Sequence, residues 1–251
     1  FPVGKKDGKL RSVLDLRKIK KFLKFQNLFF ASVNQILTKI ANYNYFSIID
    51  IKAAFLQVPL AKEGDSIGVV TSFDHYKILL LLFGLANATT VFVERLKNIL
   101  DNFHLTDGRA NYYVVDMIIS SVDLIAFERN FKQLSELLKN YQIDVNEMKT
   151  IVHEQKVKYL GFSISNGTIT VNDDKLAAIK VIKCPKSFKE TRSLLGLCNF
   201  ISSFIPNFAF FSKGMYESLH KNPKISKSDF ESSFNKVNTA ALNVSDVIVM
   251  D

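Results

Sequence analysis

Cysteine is scarce: Cys184 and Cys198 are the two thiols in 251 residues, fourteen apart, with no CxxC pair or His-rich partner set. That excludes a disulfide framework and argues against structural zinc, which needs clustered ligands at short spacing; both read as ordinary half-buried thiols. Long apolar runs are missing too. The burst from Ile78 to Leu82 ends at Phe83-Gly84, far short of the roughly 20 residues that cross a bilayer, so no membrane partner is expected. There is no low-complexity linker and no internal repeat. No charged-then-apolar leader follows Phe1, so the chain reads as an intracellular, non-secreted, excised segment.

What is present is apolar and basic. With 47% hydrophobic residues the chain can bury one large core or two smaller ones. Its net charge of +9, from 33 Lys and Arg against 24 Asp and Glu, favours a polyanionic partner through release of counterions from phosphates. Basicity alone does not separate a nucleic-acid binder from a Lys-rich surface.

Along the chain, Asp7-Gly8 sets a hairpin turn among the cations Lys5, Lys6, Lys9 and Arg11. Val33, Ile36, Leu37 and Ile40 predict a short helix, and an apolar strand then runs from Tyr45 into Asp50. Apolar side chains from Phe92 to Phe103 predict a helix over 90–103, closed by Thr106-Asp107-Gly108. A hairpin around Asp116 follows, then an amphipathic helix from Leu124 to Tyr141. Strand, helix, hairpin, helix, strand fits an α+β, ferredoxin-like unit whose central strands bring Asp50 and Asp116 side by side. Beyond it, Asn166-Gly167 predicts a type I′ hairpin. Ser187 and Glu190 form a capping box that opens a helix carrying Leu194, Leu197, Cys198, Ile201 and Phe204 until Pro206, and this half reads as a separate helical subdomain.

Two lone carboxylates at the ends of apolar strands suggest a shared metal site. Each candidate also has a plainer reading: Asp50 as a strand end, Asp116 as a hairpin residue, Lys5 and Arg11 as a solvated turn, Phe55 as core, Lys149 as surface. Their ordered combination decides between the two. Lys5-Lys6-Asp7-Gly8-x-x-Arg11 with Asp15-Leu16-Arg17, then Phe46-Ser47-x-x-Asp50-x-x-x-Ala54-Phe55-x-Gln57, precede Phe83-Gly84-Leu85-Ala86-Asn87-Ala88. Tyr113-Val114-Val115-Asp116, Asn146-x-x-Lys149, Tyr159-Leu160-Gly161, Arg192-Ser193-Leu194-Leu195-Gly196-Leu197 and Phe204-Ile205-Pro206-Asn207-Phe208 follow. This collinear series resembles the reverse transcriptase (RNA-directed DNA polymerase) of gypsy-type long-terminal-repeat retrotransposons, over nearly the whole chain.

The resemblance implies a right-hand polymerase: partial fingers over 1–44, a ferredoxin-like palm with some fingers elements over 45–158, and primer grip, thumb and the start of a connection over 159–251, without RNase H. It implies nucleotidyl transfer from dNTPs on an RNA or DNA template with a primer, using two Mg²⁺ (or Mn²⁺) about 3.5–4 Å apart. Asp50, the Ile51 backbone carbonyl and Asp116 would hold metal, and hard cations want such oxygens. Lys5 and Arg11 would clamp the triphosphate. Ala54 and Phe55 would line the nucleotide site, with Phe55 excluding a ribose 2′-hydroxyl, and Phe83 and Gly84 would floor the templating pair. Lys149 would donate a proton to pyrophosphate, and Leu160 and Gly161 would form the primer grip. The partners implied are the RNase H and integrase domains of a Pol polyprotein, in cytoplasmic retroelement particles or the nucleus.

Several positions depart from the family pattern. Val115 stands where the first Asp of Tyr-x-Asp-Asp belongs; Leu82 and Thr89 stand for Pro, Val93 for Gln and Lys20 for Asn, and no Trp occurs near Ser228. An isopropyl group cannot ligate a cation, so Val115 implies several kcal/mol less transition-state stabilisation, roughly a thousandfold in rate. The alternative is a non-catalytic nucleic-acid-binding remnant or structural subunit.

Overall fold

The computed structural model describes residues 2–4, 8, 10–24, 31–60, 67–101, 103, 108–220 and 225–244. Lys5 and Lys6, the Phe-rich loop at Leu28-Phe29-Phe30 and the Thr106-Asp107 closure lie outside them. In chain order the elements are β1 (Pro2–Gly4), β2 (Leu10–Ser12), α1 (Arg17–Lys20), α2 (Val33–Ile40), β3 (Tyr45–Asp50), β4 (Gly68–Val70), β5 (His75–Lys77), α3 (Ala88–Leu100), β6 (Gly108–Tyr113), β7 (Asp116–Ser121) and α4 (Leu124–Asn140). They continue with β8 (Ile151–Glu154), β9 (Lys156–Tyr159), β10 (Phe162–Ser165), β11 (Thr168–Val171), α5 (Asp173–Lys180), α6 (Phe188–Phe200), α7 (Phe208–Glu217) and α8 (Lys227–Leu242). Two compact units result, Phe1–Ser32 with Tyr45–Glu154, and Val33–Asn44 with Gln155–Asp251. The segment 33–44, which the sequence groups with the residues before it, thus joins the C-terminal residues.

The first unit is α+β, as expected. Its main sheet is antiparallel in the order β6-β7-β3-β8. The central strands are apolar on both faces: Phe46 and Ile49 of β3 and Met117, Ile118 and Ile119 of β7 are all buried, so the strands read as continuous runs rather than alternating ones. On one face Ile49, Ile51, Met117 and Ile119 meet Phe92 and Leu96 of α3 and Phe127, Leu134 and Leu138 of α4 in one apolar cluster. At roughly 1.5–3 kcal/mol for each fully buried large side chain, this cluster drives the packing. Helix α4 starts where the Asp123 carboxylate accepts the Ala126 N–H at 2.8 Å. Helix α3 starts at Ala88, two residues before the sequence expectation, because Leu82–Leu85 already turns the chain, with Ala88 N–H bonded to Leu85 O at 3.2 Å.

The second unit holds a three-stranded antiparallel sheet in the order β11-β10-β9. Both of its connections are two-residue turns with positive φ throughout: Leu160 (49°) and Gly161 (86°), then Asn166 (46°) and Gly167 (76°). Such turns match the twist of the strands they join. Helix α6 begins at the expected capping box, with Ser187 Oγ accepting the Glu190 N–H at 3.2 Å and Glu190 Oε2 accepting the Lys186 N–H at 2.7 Å. These bonds hold the Glu190 carboxyl below its ordinary range. The helix ends at Phe200 and a 3₁₀ turn over Ser202–Phe204 follows, so it stops short of Pro206. Leu194, Leu195 and Cys198 pack with Met215, Phe234 and Val237. Both cysteines are free; Cys184 is half-buried, but Cys198 is fully buried rather than half-buried, because it sits on the core stripe of α6. Among the described residues no helix is long and apolar enough to cross a membrane.

Candidate active site

Strands β3 and β7 pair in register from Tyr45 opposite Ser121 to Asp50 opposite Asp116. The two carboxylates are therefore the last cross-strand pair of the two central strands, and an opposed pair projects from one face of a sheet. The β6–β7 hairpin closes beside them, with Tyr113 opposite Asp116 and only Val114 and Val115 between. Val114 takes φ +58°, a left-handed conformation that a β-branched side chain adopts only under strain. Val115 is half-buried and packs against the apolar cluster that contains Ile51, Ala54 and Phe92. Partial burial, followed by the charge of Asp50, raises the Asp116 carboxyl above the usual carboxylate range.

A third group joins this pair. Asn146 N–H donates to the Asp50 carbonyl at 2.7 Å, and the Asn146 carbonyl accepts the amides of Lys149 (3.0 Å) and Thr150 (2.9 Å) and the Thr150 hydroxyl (2.9 Å). The resulting turn brings Lys149 Nζ to 3.8 Å from Asp50 Oδ2. Asp50, named from the sequence with Asp116 and Lys149, thus faces Asp116 across the strands and Lys149 across this ion pair.

Ile51 is buried as a side chain and bridges to Val145 through its neighbours: Asp50 O accepts from Asn146 N, and Lys52 N donates to Asp144 O at 3.0 Å. That bridge does not use the Ile51 carbonyl. After it, Ala53 takes φ 47° and leads into a 3₁₀ turn over Ala54–Gln57. Ala54 is buried. The Phe55 ring is fixed edge-on by Phe83 (centroids 5.1 Å apart) and Phe92 (5.7 Å), a geometry in which the positive ring edge meets the negative face. Gln57 anchors the turn from below. Its amide nitrogen donates to the Asp144 carbonyl at 2.9 Å and to the Lys52 carbonyl, while its amide oxygen accepts the Asp144 N–H at 2.7 Å. Gln57 stood in the motif with no role attached, and this clamp is what the sequence reading missed; the contact is 87 residues away in sequence and leaves no local signal.

Gly84 has φ +90° in the Leu82–Leu85 turn, a conformation that favours glycine. Val93 is 3% exposed and completes the core face of α3. Arg11 lies in β2 opposite Val3, and Lys5, its expected partner in the phosphate clamp, lies outside the described residues. Leu160 and Gly161 form the β9–β10 turn within the second unit. A Cβ built on Gly161 would stand 2.7 Å from Phe200 Cζ, so α6 sits directly against that turn.

The donor set can be tested against two divalent cations. Among the described residues no three or more His, Cys, Asp or Glu side chains gather to hold a metal ion. Two carboxylates beside an ammonium offer oxygens for one divalent cation; two adjacent cations need more oxygen ligands and more negative charge. The residues present do not fit a pair.

A family model described as reverse transcriptase (RNA-dependent DNA polymerase) matches residues 3–164. The retrovirus-related Pol polyprotein from transposon 297 of Drosophila melanogaster is 29% identical over 225 residues, covering 89% of this chain and 21% of that protein. The transposon Tf2-3 polyprotein of Schizosaccharomyces pombe is 27% identical over 206 residues, 81% of this chain and 15% of that protein. The chain therefore spans about a fifth or less of these relatives' length. Among solved structures, the foamy viral protease-reverse transcriptase dRH in complex with double-stranded DNA superposes with a TM-score of 0.82 at 26% identity, over 96% of this chain and 43% of that one. The foamy viral protease-reverse transcriptase in complex with an RNA/DNA hybrid gives 0.75 at 25% identity, over 95% and 32%.

Proposed function

The chain belongs to the reverse transcriptase (RNA-dependent DNA polymerase) family, and on that premise we propose that it is the polymerase portion of a retrotransposon Pol polyprotein, gripping a primer on an RNA or DNA template and extending it slowly from dNTPs. The observation that carries this reading is the direct opposition of Asp50 and Asp116 at the end of the two central strands. Reverse transcriptases use divalent metal ions. In this chain Asp50 and Asp116 are the side chains that would face Mg²⁺ or Mn²⁺, and Val115 withholds the further oxygens that a pair of cations requires.

The remaining roles follow from chemistry at each position. Phe55 packs edge-on against Phe83 and Phe92, so a 2′-hydroxyl placed against it would meet a ring supported on two sides. Gln57 holds the turn that carries Phe55 and thereby positions it. Arg11 supplies a cationic fork and Lys5 a mobile charge toward triphosphate. The Leu160-Gly161 turn, backed by Phe200, offers a rigid edge to the primer. In this reading 1–44 are partial fingers, 45–158 palm, and 159–251 primer grip, thumb and start of the connection, with RNase H and integrase as partners within the polyprotein.

A second reading, a nucleic-acid-binding remnant without turnover, is favoured by the ion pair of Lys149 on Asp50 and by Val115. Primer extension on an RNA template, with Mg²⁺ and with Mn²⁺, separates the two. The chain as it stands should extend roughly a thousandfold more slowly than Val115→Asp, a difference of about 4 kcal/mol in the barrier. Equal, fast extension by both would sink the assignment of Val115 as the lesion. Salt-sensitive primer-template binding by both variants with no extension by either selects the remnant.

A further inference from the structure

We propose that Lys149 is the resident counter-cation of Asp50, competing with a divalent cation for that carboxylate and weakening the binding of the single ion that Asp50 and Asp116 can hold. This deepens the proposed function and rests on its reading of Asp50 and Asp116 as the reaction centre. Three observations carry it. Lys149 Nζ stands 3.8 Å from Asp50 Oδ2. The backbone bearing it is tied to Asp50 itself, since the Asn146 N–H binds the Asp50 carbonyl and the Asn146 carbonyl closes the Lys149 turn. Among the described residues no third carboxylate joins the pair, so the ammonium offsets the charge of one of the only two carboxylates a cation would find there.

Tethering gives the ammonium a high effective concentration at Asp50, which a free cation must overcome. The pair is solvent-exposed, with Lys149 70% and Asp50 37% accessible as side chains. Such pairs are individually weak, so the ammonium is displaceable rather than permanent. A divalent ion binding Asp50 and Asp116 must either push Lys149 away or bind beside a like charge. With high effective dielectric and a few ångströms of separation, removing that charge should tighten divalent binding roughly tenfold. The device differs from proton donation: it acts on cation occupancy before any nucleotide arrives.

Titration of the full chain with Mn²⁺, following the electron paramagnetic resonance signal of free Mn²⁺, reads this directly. The unmodified chain should take up at most one ion, weakly. Lys149→Gln should take up one ion roughly tenfold more tightly, and Lys149→Arg, which keeps the charge, should stay near the unmodified value. The gain should vanish in Lys149→Gln combined with Asp50→Asn. Unchanged or weaker binding by Lys149→Gln with a native circular dichroism spectrum, or two ions on the unmodified chain, would overturn the proposal. Primer-template binding on the same proteins keeps the two readings apart: its loss in the unmodified chain refutes the polymerase reading and leaves the Mn²⁺ result standing.

Discussion

Replacing Gly161 by Ala tests the β9–β10 turn at its most constrained atom. Two separate terms oppose the new methyl. Gly161 has φ +86°, and an L-residue in the left-handed region is disfavoured by roughly 1–2 kcal/mol. The Cβ would also stand 2.7 Å from Phe200 Cζ, well inside contact distance, and overpacking of that kind costs about 1–3 kcal/mol. The Phe200 ring has little room to retreat. It stacks on Phe162 at 4.7 Å between centroids and 24° between planes, and Phe162 is itself buried and stacked on Phe204 at 5.4 Å. The sum is about 2–5 kcal/mol.

Urea unfolding of four proteins apportions it: unmodified, Gly161→Ala, Phe200→Ala and the double variant. Removing the Phe200 ring should abolish the overpacking and leave the backbone strain. The double variant should then be more stable than the sum of the single losses predicts, by about 1–3 kcal/mol. A Gly161→Ala protein within about 0.5 kcal/mol of the unmodified chain would refute the reasoning, and so would strict additivity in the cycle. If the turn is the primer grip, Gly161→Ala should also weaken primer-template binding in conditions where the protein stays folded.

Asp116→Asn should raise the melting temperature at pH 7 and have little effect near pH 3. The folded carboxyl titrates above its ordinary range, so its favourable contribution is complete below about pH 4 and is lost as pH rises through the raised value; a lower melting temperature for Asn at pH 7 would contradict this. Gln57→Leu removes the bonds to Asp144 and the Lys52 carbonyl and should destabilise by about 1–3 kcal/mol, with faster hydrogen exchange at the Asp144 amide; an unchanged amide would mean the clamp is not closed in solution. Burial pushes the Cys198 thiol up to about 11, so at pH 8 an exchange reagent should label Cys184 first and Cys198 only on unfolding. Equal labelling rates would show that α6 is open.

The elements that sequence periodicity revealed are those with one well-separated apolar pattern. Helix α2, the β3 strand and α4 fall within a residue or two of expectation, because Ile36, Leu37 and Ile40, or Phe127, Leu134 and Leu138, mark a single buried stripe. The β4–β5 hairpin was invisible for the opposite reason: Val70, Phe73 and Tyr76 are all exposed, so its apolar residues do not alternate between core and water. Leu160 and Val114 were also hidden, since nothing in a Leu or Val announces a positive φ. The glycine at 161 signalled its turn through the motif alone.

The site was legible in one dimension and not in another. Asp50 and Asp116 each end or begin an apolar strand, and two such strands, once paired in antiparallel register, must place them opposite each other. The sequence therefore contained the pair. It named Lys149 only as a proton donor and not as a partner of Asp50, because Lys149 reaches Asp50 through a turn whose hydrogen bonds span the gap between Asp50 and Asn146. That placement alters the meaning of Val115. A carboxylate at 115 would be a third like charge beside two that already repel, in a turn whose side chain now packs on apolar atoms. Without a divalent cation such a turn is less stable than the present one, and only a bound cation reverses the balance. Val115 and Lys149 thus act in the same direction: the first lowers the negative charge of the site and the second neutralises part of what remains. On the proposed reading, the result is a carboxylate pair that offers a divalent cation less net negative charge.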